Sequence, residues 1–311
     1  MICAETTVLK ALSVNDQPNQ PEMMPLDGES PLDCIARIRG QGTRKTTPCG
    51  DGDMVWHVWG AENAIPIILF HGNFGSWPHW IKNIPVLSQK YALYVPDVPG
   101  FGESDLPPEP YSIEGLVDIV TEGFGTLLSP DARMHITGFS FGSTMTGFMA
   151  KKIGDRALSM CLCGGSRLVG MSDLPRKFIN WRKAKTDEER FAAHRNNLGV
   201  AMLSSINVVD DLAIEVQDMI TTKCRIKPRS FLDPDALLRV VKDVTSPMLT
   251  IWGERDPYFP FLEEKWDDII VGAGINLRRI DIEAASHWTL YERPDVLNKH
   301  LMAWYAENDP K

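Results

Sequence analysis

The 311-residue chain has no apolar run near the roughly 18 to 20 residues that a bilayer span needs, so no membrane-embedded role is expected. Its first ten residues hold Glu5 and no basic stretch leading into an apolar one; no secretory signal is read there, and the expectation is a cytoplasmic protein. Cysteine is scarce. The six residues Cys3, Cys34, Cys49, Cys161, Cys163 and Cys224 are scattered and form no C-x-x-C pair, which argues against a disulfide framework and for reduced thiols. Positive charge is in deficit, with 32 Lys and Arg against 41 Asp and Glu and a net charge of -9. Such a surface repels phosphate backbones, so nucleic acid is not expected as a partner. There is no H-E-x-x-H, no clustered His and carboxylate spacing and no Gly-Lys-Ser/Thr phosphate loop, and Gly100-Phe-Gly-Glu-Ser lacks the third glycine of a dinucleotide fingerprint. No metal and no cofactor are expected. Internal repeats and low-complexity tracts are missing as well.

What remains is a globular composition, 43% hydrophobic and 23% charged, long enough for one large domain or two smaller ones. Residues 1–50 are rich in Pro, Asn, Gln and Asp, with a short apolar patch at 34–38, and read as a partly irregular arm with one edge strand. Beyond it, residues 54–59, 65–70, 92–95, 134–137, 158–163, 248–252 and 277–282 read as strands; Cys161 and Cys163 alternate on one of them. Helical periodicity covers 78–89, 113–128, 141–153, 261–270 and 294–305. That alternation predicts an α/β fold, a mostly parallel sheet with helices on both faces and functional residues at the carboxyl ends of its strands. Residues 166–245 break the rhythm with amphipathic segments at 188–202 and 210–224 and read as an inserted helical cap. The core then comprises 51–165 and 246–311.

Chemistry concentrates at strand ends. Gly138-x-Ser140-x-Gly142 runs from a strand directly into a helix, the setting in which a serine is held on a tight turn near helix N–H groups. A serine hydroxyl needs a base, and the base an orienting acid. Among the seven histidines, His287 lies in a small-residue loop after the last strand, whereas the others fall within or at the ends of strands and helices. Asp256 follows the preceding strand; Glu254 competes, but Asp256 lies two residues further out, nearer the histidine loop. After the strand at 65–70 comes His71-Gly72-Asn73-Phe74-Gly75. Its Asn73 N–H, or alternatively that of Phe74, joins the Phe141 N–H as a candidate oxyanion donor. His71 and Asp97 are read as structural.

The set His71-Gly72, Asp97 to Gly102, Gly138 to Gly142, Gly253 to Asp256 and Ser286-His287-Trp288 resembles the α/β-hydrolase family over residues 54–306, the insertion apart. The resemblance implies a sheet of eight strands, a cap after the sixth, and a triad of Ser140, Asp256 and His287. Within the family the chain is similar to capped carboxylesterases and meta-cleavage-product hydrolases. It departs from the latter where they carry a cap arginine: here stand Val216-Gln217-Asp218, with Lys223 and Arg225 the nearest bases. Haloalkane dehalogenases share the His-Gly-Asn start but use an aspartate nucleophile.

The expected activity is hydrolysis of a small to medium, largely apolar carboxylic ester through an acyl-enzyme, with a small-molecule ester or ketone as substrate. The alternative is C–C hydrolysis of a vinylogous diketone ring-fission product, and a third is a non-catalytic ligand-binding protein. Phe74, Phe139, Trp288 and Met202 are the expected pocket, with Phe178, Trp181, Phe191, Leu198 and Leu203 from the cap. The oligomeric state is left open, a homodimer among the forms allowed.

Overall fold

Both side-chain rows of the central strands are apolar, so the sheet must be covered on both faces. In the computed structural model, which describes residues 24–165, 178–233, 235–258 and 277–311, that is how the chain is arranged. Ile68, Phe70, Tyr94, Ile136, Met160, Leu162 and Trp252 join one buried cluster, while Ile67, Leu69, Leu93, Val95, Cys161, Cys163, Leu249 and Ile251 join another. The strict alternation between clusters is the period-two geometry of the strand.

The chain runs α1 (Pro31–Gly40), β1 (Thr43–Cys49), β2 (Gly52–Trp59), β3 (Pro66–Phe70), a 3₁₀ turn (Trp77–Trp80), α2 (Ile84–Leu87), β4 (Ala92–Pro96), α3 (Ile113–Leu127), β5 (Met134–Phe139) and α4 (Phe141–Ile153). It continues through β6 (Ala157–Cys163), α5 (Asp187–Ala201), α6 (Asp211–Thr222), α7 (Ala236–Val241), β7 (Met248–Gly253), β8 (Leu277–Ile282), α8 (Thr289–Glu292) and α9 (Pro294–Asn308). The eight strands lie in the order β1-β2-β4-β3-β5-β6-β7-β8. From β4 through β8 neighbours are parallel, while β2 is antiparallel to both β1 and β4. This is the α/β architecture read from the sequence.

Three local expectations change. The stretch read as an irregular arm holds α1 and β1 from residue 31 onward. Ser30 caps α1 by accepting the Asp33 N–H at 3.2 Å, Pro31 occupies the first turn, and Cys34, Ile35 and Ile38 form the buried face. The helix expected over 78–89 is instead the 3₁₀ turn and the four-residue α2, because Pro78 and Pro85 each remove a donor and obstruct the preceding turn. The helix expected over 261–270 lies outside the described residues, as do residues 1–23 and the first part of the insertion. Within that insertion α5 and α6 form an antiparallel pair, whereas α7 lies on α4: a Cβ on Gly147 would sit 3.0 Å from Leu237 and Val240. No helix among the described residues is long and apolar enough to cross a membrane. The cysteines among them, Cys34, Cys49, Cys161, Cys163 and Cys224, are all free thiols.

At the amino edge of the sheet, His135 on β5 is buried between Ser159 (Nδ1 to Oγ 2.8 Å) and Asp309 beyond α9 (Nε2 to Oδ1 3.1 Å). Burial outweighs the Asp309 attraction and lowers the imidazole pKa to about 4. The unfolded chain therefore binds this proton near pH 6.5 and the fold only near 4, so stability is full above 6.5 and is lost as pH falls between those values. The expected loss at this site is about 3 kcal/mol. Urea unfolding at pH 7 and pH 4 measures it, and His135→Gln is expected to flatten the pH slope; an unchanged slope in that variant refutes the assignment.

Candidate active site

β5 runs into α4 through Ser140, whose backbone sits at φ 53° and ψ -115°, a region side-chain-bearing residues rarely occupy. The glycines at either side make the turn sterically feasible. A Cβ on Gly138 would lie 2.0 Å from the Gly142 carbonyl oxygen, and one on Gly142 would lie 2.6 Å and 2.7 Å from the carbonyl oxygens of Phe70 and His71. Those are backbone atoms that cannot move aside, so β3, β5 and α4 approach as closely as they do only with glycine at both positions. Ser140 is left half-buried at the carboxyl edge of the sheet, with its N–H donated to the Cys163 carbonyl at 2.8 Å.

The loops after β7 and β8 are stitched together. The Glu254 N–H donates to the Ile282 carbonyl (3.1 Å) and the Arg255 N–H to that of Ala285 (2.9 Å), and a Cβ on Gly253 would meet the Ser286 oxygen at 2.3 Å. This registration brings Asp256 Oδ2 to 2.8 Å from His287 Nδ1, while the other carboxylate oxygen accepts the Tyr258 N–H at 2.8 Å. Asp256 and His287 are each 3% exposed, whereas Glu254 points to solvent. With its Nδ1 proton held by the carboxylate, the imidazole leaves Nε2 as the unprotonated nitrogen. The pair lies against the serine turn. Phe139, preceding Ser140, has its ring centroid 5.1 Å from that of His287, and a Cβ on Gly164, which follows the partner of the Ser140 N–H, would be 3.1 Å from His287 Nδ1. The ring of Tyr258, at 4.5 Å, flanks the imidazole; nothing in its Pro-Tyr-Phe-Pro context pointed to that contact.

The turn after β3 completes the cluster. A Cβ on Gly72 would fall 2.9 Å from the Phe139 ring and 3.3 Å from Ser140 Cβ, so this backbone passes directly beside the serine. The Gly75 N–H closes the turn on the Gly72 carbonyl (3.0 Å), and Phe74 takes a left-handed φ of 58°. The Phe74 N–H is occupied by Asn73 Oδ1 (2.9 Å), leaving Asn73 as the remaining N–H at the turn's tip. His71 Nδ1 bonds the Gly72 carbonyl (2.8 Å), a contact that requires Nδ1 to carry the proton, and Nε2 accepts the Val98 N–H (3.0 Å). Burial lowers its pKa. Asp97, fully buried, accepts the N–H groups of Trp77 (3.1 Å) and Glu103 (2.9 Å) and holds the neighbouring loops.

Of the expected pocket residues, Phe74 and Met202 are half-buried. Phe139 and Trp288 are 1% and 0% exposed: the Phe139 ring packs on the His287 imidazole, while the Trp288 ring stacks on Tyr291 at 4.2 Å and its Nε1 donates to the His79 carbonyl at 3.1 Å. Leu198 and Leu203 are buried, and Phe178, Trp181 and Phe191 are half-buried. Two residues given no role in the sequence reading prove well connected. His79 receives the Gly72 N–H on Nδ1 (3.0 Å), and the Glu292 carboxylate accepts the Ser204 N–H (3.0 Å) and the Ser286 N–H (2.9 Å). Neither has a spacing signal, since each acts across a long sequence separation or within a turn whose shape the sequence does not spell out.

Comparisons with known proteins agree with this architecture. A family model described as the alpha/beta hydrolase fold matches residues 65–202. The acetyltransferase component of an acetoin cleaving system from Pseudomonas putida is 22% identical over 270 residues, 81% of this chain and 66% of that protein, so the chain spans just under two thirds of its length. Among solved structures, a meta-cleavage product hydrolase (CumD) of Pseudomonas fluorescens is 25% identical with a TM-score of 0.64, over 85% of this chain and 98% of that one. A thermophilic esterase from Thermogutta terrifontis is 18% identical with a TM-score of 0.63, over 87% of this chain and 100% of that one, a likeness of fold. Sheet order, serine turn and family model converge: the chain has the α/β-hydrolase fold.

Proposed function

We propose that the protein is a serine hydrolase acting on a small to medium, largely apolar carboxylic ester. The observation that carries this reading is a strained, half-buried Ser140 at a strand-to-helix turn beside an imidazole whose Nδ1 is fixed by a buried carboxylate. Ser140 Oγ attacks the ester carbonyl carbon while His287 Nε2 takes its proton, and Asp256 holds the imidazolium so formed. The carbonyl oxygen becomes an oxyanion bound by the N–H groups of Phe141, at the first turn of α4, and Asn73. Collapse expels the alcohol, which receives the proton from His287. Water then attacks the acyl-enzyme by the same route, releasing the acid and restoring Ser140.

The segment 166–245 serves as the lid of this pocket. Phe74 and Met202 face the acyl group in this reading, with Phe139 and Trp288 as rigid backing. The lid is tied to the histidine loop twice: the Trp288 N–H donates to the Met202 carbonyl (2.7 Å), and Glu292 bridges Ser204 to Ser286. A lid displaced from its seat therefore disturbs the loop carrying His287.

The second reading is C–C hydrolysis of a ring-fission product, favoured by the 25% identity to CumD. It stands second because two arginines of the lid are already engaged. Arg190 bonds Asp218 (2.6 Å) and Asp187 (2.7 Å), and the Arg225 guanidinium is given to the Ser104 carbonyl, leaving neither poised for a substrate carboxylate.

Ser140→Ala is expected to abolish p-nitrophenyl butyrate turnover and fluorophosphonate labelling with the thermal midpoint nearly unchanged; full esterase activity in that variant sinks the mechanism. Asp256→Asn is expected to lower kcat by about 10⁴-fold. Assaying a yellow ring-fission product beside the ester ranks the two readings, rapid decay of the yellow dienolate with feeble ester cleavage reversing the order. Glu292→Ala, which strips the acceptor from two N–H groups, is expected to cost about 2 kcal/mol in urea unfolding. It should also raise amide exchange at Ser204 and Ser286 above that of the strands, and unchanged exchange there argues against the tie.

A further inference from the structure

Resting on the serine-hydrolase reading, we propose that His79 is a positioning residue for the oxyanion turn, setting the direction of the Asn73 N–H by holding the Gly72 peptide unit from behind. His79 lies in the 3₁₀ turn Trp77–Trp80 and is 2% exposed. Its Nδ1 accepts the Gly72 N–H at 3.0 Å. An imidazole nitrogen that accepts carries no proton, so His79 is the Nε2–H tautomer, opposite to His71. The two rings grip Gly72 at both ends: His79 takes its N–H, and His71 Nδ1 donates to its carbonyl, which also receives the Gly75 N–H.

That grip leaves little freedom. With the Gly72 N–H committed to His79 and the Phe74 N–H to Asn73 Oδ1, Asn73 is the N–H of the turn left to meet an oxyanion. Gly75 shows how closely the ring is fitted, since a Cβ there would lie 2.3 Å from His79 Nδ1. The ring also meets the other two parts of the site: its centroid is 5.3 Å from that of Phe139, which precedes Ser140, and 5.4 Å from that of Trp288, which follows His287. The Trp288 Nε1–H holds the His79 carbonyl at 3.1 Å. One side chain thus references the oxyanion turn to both the nucleophile and the base. Burial pushes its pKa well down, in the direction that keeps Nδ1 free to accept.

The test compares His79→Asn, which keeps an acceptor at the δ position, with His79→Gln, which moves the acceptor one bond outward, and His79→Leu, which removes it. With p-nitrophenyl butyrate, the Gln and Leu variants are expected to lose about 100-fold in kcat with KM within about threefold. A trifluoromethyl ketone, which forms a tetrahedral adduct, should lose affinity in parallel. His79→Asn is expected to recover kcat to within about fivefold of the parent. A folded Gln or Leu variant with parental kcat, or a folded Asn variant as poor as Leu, overturns the proposal. Should the Gln and Leu variants fail to fold, ¹⁵N-histidine spectra of the unaltered protein decide: an unprotonated His79 Nδ1 coupled across the hydrogen bond to the Gly72 amide supports the proposal, and a proton on Nδ1 overturns it. Failure of the parent protein to be labelled by fluorophosphonate would refute the serine-hydrolase reading instead, with the ¹⁵N signature intact.

Discussion

The close approach of β3, β5 and α4 around Gly138 and Gly142 is the constraint on which the rest of the site depends. Van der Waals contact between backbones leaves no room for a side chain at either glycine, and the chain turns from strand to helix within one residue. That residue, Ser140, is forced to positive φ, at an intrinsic cost of about 1 to 3 kcal/mol. The packing of the two clusters on either side of the sheet, together with the Ser140 N–H bond to the Cys163 carbonyl, offsets that cost. In return the hydroxyl is lifted clear of the sheet edge beside the first, unpaired N–H groups of a 13-residue helix.

Parallel order then places the remaining groups without long reach. β3 and β6 flank β5, and β7 and β8 follow, so Asn73, Ser140, Asp256 and His287 all emerge at carboxyl ends of neighbouring or near-neighbouring strands. What parallel pairing does not fix is loop conformation. Loops are fixed by polar contacts: the zipper between 253–256 and 282–286, the Asp97 bonds to Trp77 and Glu103, and the histidine grip on Gly72. Most donors in these contacts are backbone N–H groups, which lets the loops be rigid without bulky side chains near the serine.

This division explains what the sequence revealed. Apolar alternation in 65–70, 158–163 and 248–252 is a direct imprint of two-sided burial, so the strands were legible to within two residues. The glycines and the serine of the elbow were legible because steric exclusion permits few substitutes. α1 was not, since only Cys34, Ile35 and Ile38 of its ten residues are buried and its signal lies in the Ser30-Pro31 start. The break in 78–89 was written in Pro78 and Pro85 but masked by the helical spacing around them. Trp288 and Phe139 show a further limit: hydrophobicity says that a ring is buried, and not whether it faces a ligand or packs against neighbouring side chains. His79 and Glu292 act on N–H groups whose direction is a property of the fold, so no residue pattern announces them.

The charge state of the interior follows from the same contacts. His79 lies between His71, whose ring centroid is 6.4 Å away, and His287, and burial lowers the pKa of both His71 and His79 while a backbone bond assigns the proton of each to one nitrogen. A charged His79 would repel the imidazolium that His287 forms in the proposed reaction, and the neighbouring His287 adds to the lowering of the His79 pKa. Asp256 is the carboxylate bonded directly to the His287 ring. Of these three imidazoles His287 is the one bonded to a carboxylate, which in the proposed reaction suits it to take the serine's proton. Selecting that ring takes no special residue type. It follows from which strand ends the loops at 253–256 and 282–287 leave, and from the two glycine-lined turns that keep the other histidines occupied with backbone.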